Sequence, residues 1–171
     1  MRALIVYESL WGNTEEIARA VATGLALTMS VVDVVTADAA PADVDRYDLL
    51  VVGGPTHAFS MSRATTRQSA VEERGAKTLP TRGIREWIEQ LESTASTVAY
   101  TFDTRVDSPR LPGSAAKAAR HELRSRGFST PAKAVSFYVH GYEGPLVDGE
   151  VDRATAWAQS IAAATAPRAA L

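Results

Sequence analysis

Three polar side chains near the amino terminus, Ser9, Asn13 and Thr14, have the chemistry and the spacing to hold an anionic group. They lie in the segment Tyr-Glu-Ser-Leu-Trp-Gly-Asn-Thr at 7–14 and offer hydroxyl and amide donors. No Lys or Arg occurs at positions 3–18. A phosphate bound here would therefore be neutralised by hydroxyls and backbone amides, without a local cation.

The residues on either side of this segment predict the elements that position it. The apolar run at 3–7 predicts a buried strand, and Ile17, Val21 and Leu25 recur at a helical spacing. The helix is expected to begin at 13–14. The first amides of a helix have no intrahelical partner, and together with the helix dipole they form an anion site.

The loop contains one glycine and no lysine, and this excludes two common phosphate-binding motifs. Gly12 is the one glycine of the loop and lets the backbone come close to a ligand. The loop therefore differs from the dinucleotide fingerprint, and without Gly-Lys-Ser/Thr it is not a nucleoside-triphosphate loop.

Two later segments also follow predicted core strands. The strand at 48–53 leads into Gly-Pro-Thr-His-Ala-Phe at 54–59, and the strand at 97–102 leads into Asp-Thr-Arg at 103–105. In a parallel sheet of strand order 2-1-3-4-5, the loops after strands one, three and four open at one edge. The three segments are therefore expected to meet there.

The remaining pattern predicts a three-layer, doubly wound α/β fold with a five-stranded parallel sheet. The predicted strands are 2–7, 30–35, 48–53, 97–102 and 134–139. The predicted helices are 13–28, 61–77, 84–91, 114–126 and 150–164. One domain is expected over 1–166, with a frayed tail at 167–171.

Composition excludes several classes of protein. The chain has 171 residues, of which 46% are hydrophobic, and this suits one α/β core. It has no cysteine, so disulfides, thiolate metal sites and cysteine nucleophiles are absent, and three scattered histidines give no metal-ligand spacing. A net charge of −2 gives no sign of nucleic-acid binding. With no signal peptide or membrane-length apolar run, a cytoplasmic protein that binds no membrane is expected.

Taken together, the segments at 7–14, 53–57 and 102–105 resemble those of short-chain flavodoxins, which bind FMN. The resemblance covers essentially the whole chain, and strand five shows no sign of the loop inserted in long-chain flavodoxins. The residues that it implies for the phosphate are Ser9, Leu10, Trp11, Gly12, Asn13 and Thr14. Those implied for the ribityl chain and one flavin face are Pro55, Thr56, His57, Ala58 and Phe59. Those implied for the other face and the pyrimidine edge are Phe102, Asp103, Thr104 and Arg105.

The chain departs from the flavodoxin pattern in its charge and in its aromatic residues. Flavodoxins are usually strongly acidic, whereas this chain is nearly neutral. They commonly stack the flavin between a Trp of the second loop and a Tyr of the third, whereas here the second loop offers Phe59 and the third loop, which begins at Asp103, has no Tyr. Trp11 lies beside the phosphate, and Tyr142 could also reach the site. Arg105, at the pyrimidine edge, is expected to make the flavin less strongly reducing.

The resemblance implies an electron carrier, expected to be monomeric, that shuttles electrons between a reductase and an acceptor enzyme. One-electron transfer needs no general acid, general base or nucleophile, so no catalytic residue is assigned. An NAD(P)H:quinone oxidoreductase of the same fold is the alternative, although this chain has little spare length for a substrate pocket. A flavin-free interaction domain is a further possibility, which the colour of the purified protein would test.

Overall fold

Strands that are apolar on both faces alternate with helices along the chain and build one parallel sheet between two helical layers. The computed structural model describes residues 1–92, 96–108 and 111–166. The strands are β1 (Arg2–Tyr7), β2 (Val31–Thr36), β3 (Leu49–His57), β4 (Ser60–Met61), β5 (Val98–Val106) and β6 (Val135–Val139). The helices are α1 (Asn13–Leu25), α2 (Ala64–Arg74), α3 (Ile84–Glu89), α4 (Ala115–Ser125) and α5 (Glu150–Thr165).

The five long strands are parallel and follow the order β2-β1-β3-β5-β6, which confirms the predicted fold class and strand order. β3 is central and is buried on both faces from Leu49 to Gly54. This burial explains its unbroken apolar run, which is typical of an inner parallel strand. α1 and α5 cover one face of the sheet, and α3 and α4 cover the other.

The second predicted loop is wrong in part, because β3 continues through it as far as His57. β4 then pairs antiparallel with the end of β3, so only Ala58 and Phe59 form the turn. β1 stops pairing with β3 at Gly53, and beyond that point β3 pairs with β5. Pro55, which has no N–H, is tolerated on a stretch that has lost one neighbour.

The third predicted loop is also wrong at its start, since β5 runs on to Val106 instead of ending near residue 102. Asp103, Thr104 and Arg105 are strand residues that pair with β6. Strand geometry sends alternate side chains to opposite faces, so these neighbours cannot all face one ligand. The predicted tail at 167–171 lies outside the described residues.

Candidate functional site

A cleft of about 390 Å³ lies at the carboxyl edge of the sheet, where the three predicted segments meet. Its lining residues from the predicted set are Ser9, Leu10, Trp11, Asn13, Thr14, Pro55, Thr56, His57, Ala58, Thr104 and Arg105. The volume falls within the range of ordinary cofactor and ligand sites. The strand order brings these separate segments to one side of the molecule, as the sequence predicted.

The amino terminus of α1 forms the polar end of this cleft. Gly12 precedes the helix with φ +99°, and no side chain caps the helix. The first helical hydrogen bond runs from the Glu16 amide to the Gly12 carbonyl at 3.0 Å. Within the described chain, the amides of residues 13–15 have no acceptor. Unpaired amides at a helix start are suited to an anion.

Hydroxyl and amide side chains hold this loop against its neighbours. The Ser9 hydroxyl accepts a hydrogen bond from the Gly12 amide at 3.1 Å, which fixes the turn. The hydroxyls of Thr14 and Thr104 lie 2.7 Å apart and join the start of α1 to β5. The Asn13 side chain donates to the Glu143 carbonyl at 3.1 Å, so the loop after β6 closes on the same site.

An aromatic cluster of Trp11, His57 and Tyr142 lines the cleft. The Trp11 ring centroid lies 6.0 Å from that of His57 and 5.5 Å from that of Tyr142. Burial, together with the charges of Arg74 and Arg67, lowers the pKa of His57 to about 4. His57 is therefore uncharged at neutral pH. Each of the three rings is expected near the ligand from the sequence analysis, but their meeting in one cluster is not.

Phe102 does not line the cleft, contrary to the prediction. Its side chain is fully buried and packs edge-on against Phe137 and Trp157, with ring centroids 5.9 and 6.1 Å away. Phe102 points to the α1–α5 side of the sheet because neighbouring strand residues alternate between faces. Phe59 is also absent from the cleft lining, since it sits at the tip of the β3–β4 turn with 58% of its surface exposed.

Asp103 has a structural role that the sequence analysis missed. Its buried carboxylate accepts hydrogen bonds from the Thr56 hydroxyl, the Ser114 hydroxyl and the Ala116 amide at 3.0, 2.5 and 3.1 Å. The Thr56 hydroxyl in turn accepts from the Ala115 amide. Both side chains are therefore used at the start of α4, and Asp103 does not line the cleft, so its predicted contact with a flavin face stays a prediction.

Arg105 lines the cleft, but neighbouring carbonyls engage its guanidinium. It donates to the carbonyl of Gly113 at 2.7 Å and to that of Leu111. These bonds brace the loop that leads into α4. Arg105 therefore brings a positive charge to the cleft lining, and its predicted position at the pyrimidine edge of the flavin stays a prediction.

One face of α2 forms a wall of the cleft that the sequence analysis did not assign. The residues on this wall are Thr65, Thr66, Ser69, Ala70, Glu73 and Arg74. They recur at spacings of three and four, and half of them are small hydroxyl residues. This periodic run of hydroxyl side chains was the available signal, but the hydrophobic pattern of the helix was too weak to show which face it turned inward.

A buried network of charged and hydroxyl side chains supports the loop that leads into α1. The fully buried Glu8 carboxylate accepts from the Ser62 hydroxyl and from the Ile84 amide, the latter at 3.0 Å. The buried Arg67 donates to the Ser62 hydroxyl at 2.9 Å and forms an ion pair with Glu86 at 3.1 Å. Burial raises the pKa of Glu8, and these donors offset only part of that effect. The network ties the residue before Ser9 to α2 and α3.

In the part of the chain that the structure describes, no group of His, Asp and Glu side chains could hold a metal ion. No helix there has the length and apolarity needed to cross a membrane. The cleft instead offers unpaired amides, hydroxyl groups and aromatic rings. This chemistry fits the phosphate, the polyol chain and the planar ring system of FMN.

The fold and the cleft define a doubly wound α/β protein of the flavodoxin-like class. The sequence matches the model of the flavodoxin family over residues 5–104. The chain therefore belongs to the flavodoxin family, whose members bind FMN and carry electrons. No match was found among curated proteins.

Solved structures of flavodoxins share this fold over nearly their full length. An archaeal flavodoxin is 17% identical with a TM-score of 0.66, and the alignment covers 96% of this chain and 99% of that one. Flavodoxin 2 of Bacillus cereus is 21% identical with a TM-score of 0.69, covering 96% and 98%. The flavodoxin of Streptococcus pneumonia TIGR4 is 21% identical with a TM-score of 0.69, covering 96% and 99%.

Proposed function

We infer that this protein carries electrons between a reductase and an acceptor enzyme, with FMN bound in the cleft as the carrying group. The observation that supports this most strongly is the uncapped start of α1, where Asn13 and Thr14 line the cleft and the amides of residues 13–15 have no acceptor within the described chain. A terminal phosphate fits this end, and the aromatic cluster fits the ring system. Bound FMN would supply the redox chemistry, and the protein would supply binding and tuning.

The residues divide into two binding regions. The segment from Ser9 to Thr14 would hold the phosphate through its amides and hydroxyls. Pro55 to Ala58, with Thr104 and Arg105, would line the remainder of the ligand. Trp11 and His57 would present aromatic surface to it, and the neutral state of His57 adds no charge there. None of these residues is assigned a proton-transfer role, because electron transfer requires none.

The first experiment measures cofactor binding at the α1 start. FMN and riboflavin are titrated into the purified protein, and binding is followed by quenching of flavin fluorescence. Asn13→Asp places a carboxylate beside the expected phosphate, so FMN binding should weaken by about tenfold or more while riboflavin binding changes little. Asn13→Ala is the matched control, since it removes the same hydrogen bond to Glu143 without adding a charge.

The second experiment tests the role as a carrier. The FMN-loaded protein should accept electrons from a flavoprotein reductase and pass them to an acceptor protein, but it should not oxidise NADPH with a quinone by itself. Direct NADPH oxidation with a quinone, without added reductase, would contradict the proposal and favour an enzyme. Failure to bind FMN would leave a flavin-free interaction domain.

Arg105 provides a test of how the protein tunes its cofactor. A positive charge at the edge of the cleft should make the second reduction of bound FMN easier. Redox titration of Arg105→Ala should therefore show a lower second potential than the parent protein. An unchanged potential would show that the guanidinium acts only as a brace for the carbonyls of Leu111 and Gly113.

A further inference from the structure

The structure supplies a cation that the sequence of the phosphate loop lacks. Arg74, in the last turn of α2, lines the same cleft as Ser9 and Thr14. It reaches the site from a distant part of the chain, so the absence of Lys and Arg at 3–18 does not leave the cleft without positive charge.

The packing of the chain after α2 fixes the end of this helix against the loop. Ala70 and Ala76 pack with Leu10 in a small apolar cluster, and Trp11 lies against it. The Lys77 amide then donates to the Leu10 carbonyl at 3.0 Å. The carboxyl end of α2 is therefore held next to the residues that lead into α1.

The guanidinium of Arg74 is free to bind a ligand. Within the described residues it forms no ion pair and no hydrogen bond, whereas Arg67, Arg82 and Arg153 each bind several acceptors. The guanidinium lies over the ring of Tyr142, and the distance from Arg74 Cζ to the ring centroid is 5.3 Å. Tyr142 in turn packs against Trp11, so the ring that contacts Arg74 is itself held beside the loop.

Two neighbouring side chains, His57 and Glu73, indicate the electrostatic environment of Arg74. Arg74 and His57 line the same cleft, and the positive charge of Arg74 helps to lower the pKa of His57. Glu73 also lines the cleft and opposes part of the positive charge. Guanidinium groups bind phosphate oxygens in pairs, and such charge-assisted hydrogen bonds are stronger than those of neutral donors.

We propose that Arg74 recognises the terminal phosphate of the ligand in this cleft and that Tyr142 holds its guanidinium in position. This assignment rests on the proposed FMN site. It gives the phosphate a charged partner in addition to the α1 amides, and it makes the preference for FMN over riboflavin dependent on salt. Arg74 is thus a specificity-determining residue, and Tyr142 is a positioning residue.

The test compares Arg74→Gln with Arg63→Gln, a matched control at the other end of the same helix that does not line the cleft. Dissociation constants for FMN and riboflavin are measured by fluorescence titration at low and high salt. Arg74→Gln should weaken FMN binding by about tenfold at low salt and leave riboflavin binding unchanged. High salt should reduce the difference, because the site is open to solvent.

Two further variants check the geometry. Arg74→Lys should retain part of the FMN preference, and Tyr142→Leu should reduce it less than Arg74→Gln does. If the parent protein prefers FMN and Arg74→Gln leaves that preference unchanged, the role of Arg74 is overturned while the FMN site stands. If the parent protein binds neither flavin, the proposed function itself fails, and this assignment fails with it.

Discussion

The starts of α1 and α4 lie at the same edge of the sheet, yet the chain treats them in opposite ways. At α4, the amides of residues 115–117 donate to Thr56, Asp103 and Ser114. At α1, the amides of residues 13–15 have no acceptor within the described chain. An N-terminal helical turn normally needs such partners. The α4 start, whose amides are hydrogen-bonded within the protein, stabilises the fold. The α1 start, whose amides are unpaired, is available to a ligand.

Both starts nevertheless share a structural frame. Asp103 and Thr104 are adjacent on β5, and they turn to opposite faces of the sheet. Asp103 binds the α4 start, while Thr104 meets Thr14 at the α1 start. A single strand therefore organises both helix termini. The comparison teaches that position at the sheet edge does not create an anion site; the unfilled amides do.

Removing the carboxylate that seals α4 should have the largest effect. Asp103→Ala leaves the Thr56 and Ser114 hydroxyls and the Ala116 amide short of an acceptor in a buried place, so it should cost about 3 kcal/mol of unfolding free energy. Urea denaturation followed by circular dichroism measures the loss. Asp107→Ala, an exposed change near the end of the same strand, is the control and should cost less than about 0.5 kcal/mol. A similar loss for both variants would contradict the sealed α4 start.

The second prediction concerns His57, which lines the cleft and packs on Trp11. Its pKa is about 4 in the folded protein and 6.5 in the unfolded chain. Its stabilising contribution is therefore full above pH 6.5 and is lost as the pH falls toward 4, with about 2 kcal/mol lost between pH 7 and pH 5.

This loss is measured as the difference in unfolding free energy between the parent protein and His57→Phe at the two pH values. The comparison with His57→Phe cancels the contributions of other groups, including Glu8. If the pH dependence is the same in both proteins, the burial of a neutral His57 is not its source.

The third prediction tests the hydrogen bond between Thr14 and Thr104 separately from the unpaired amides at the α1 start. Thr14→Val removes one partner of the buried hydroxyl pair and should cost about 1 kcal/mol, since the Thr104 hydroxyl loses its hydrogen bond. The double variant Thr14→Val with Thr104→Val should recover much of this loss, because no buried hydroxyl is then left unpaired. Denaturation of all four proteins completes the cycle. Simple additivity of the two changes would show that the pair is not coupled.

The comparison also explains which parts of the protein could be predicted from the sequence. The strand order and the α1 site depend on local signals: apolar strands, a helical spacing, and a loop contiguous with the helix start. The α4 start could not be found in this way, because its acceptors come from Thr56, Asp103 and Ser114 on three separate segments. The direction of the Asp103 side chain depends on the pairing of β5 with β6 beyond residue 102. No local sequence pattern predicts that pairing.

The same reason applies to α2. Its polar face lines the cleft only because the β3–β4 turn redirects the chain and the end of the helix then docks on Leu10. The sequence showed a polar helix, but the position of that helix depends on contacts far apart in the chain. Arg74 could therefore not be placed near the phosphate loop from spacing alone.

The smallest expected effect lies at the turn that borders the α4 side. Ala58 and Phe59 have φ values of 45° and 69°, a region that favours glycine in a two-residue hairpin turn. Phe59→Gly should relieve this strain and stabilise the protein by about 0.5 kcal/mol, since the exposed ring contributes little burial. Phe59→Ala removes the ring but keeps the strain, so it should give no gain. FMN affinity should stay unchanged in both variants, because Phe59 does not line the cleft. Weaker FMN binding by both variants would instead return this side chain to the flavin site, as the sequence first suggested.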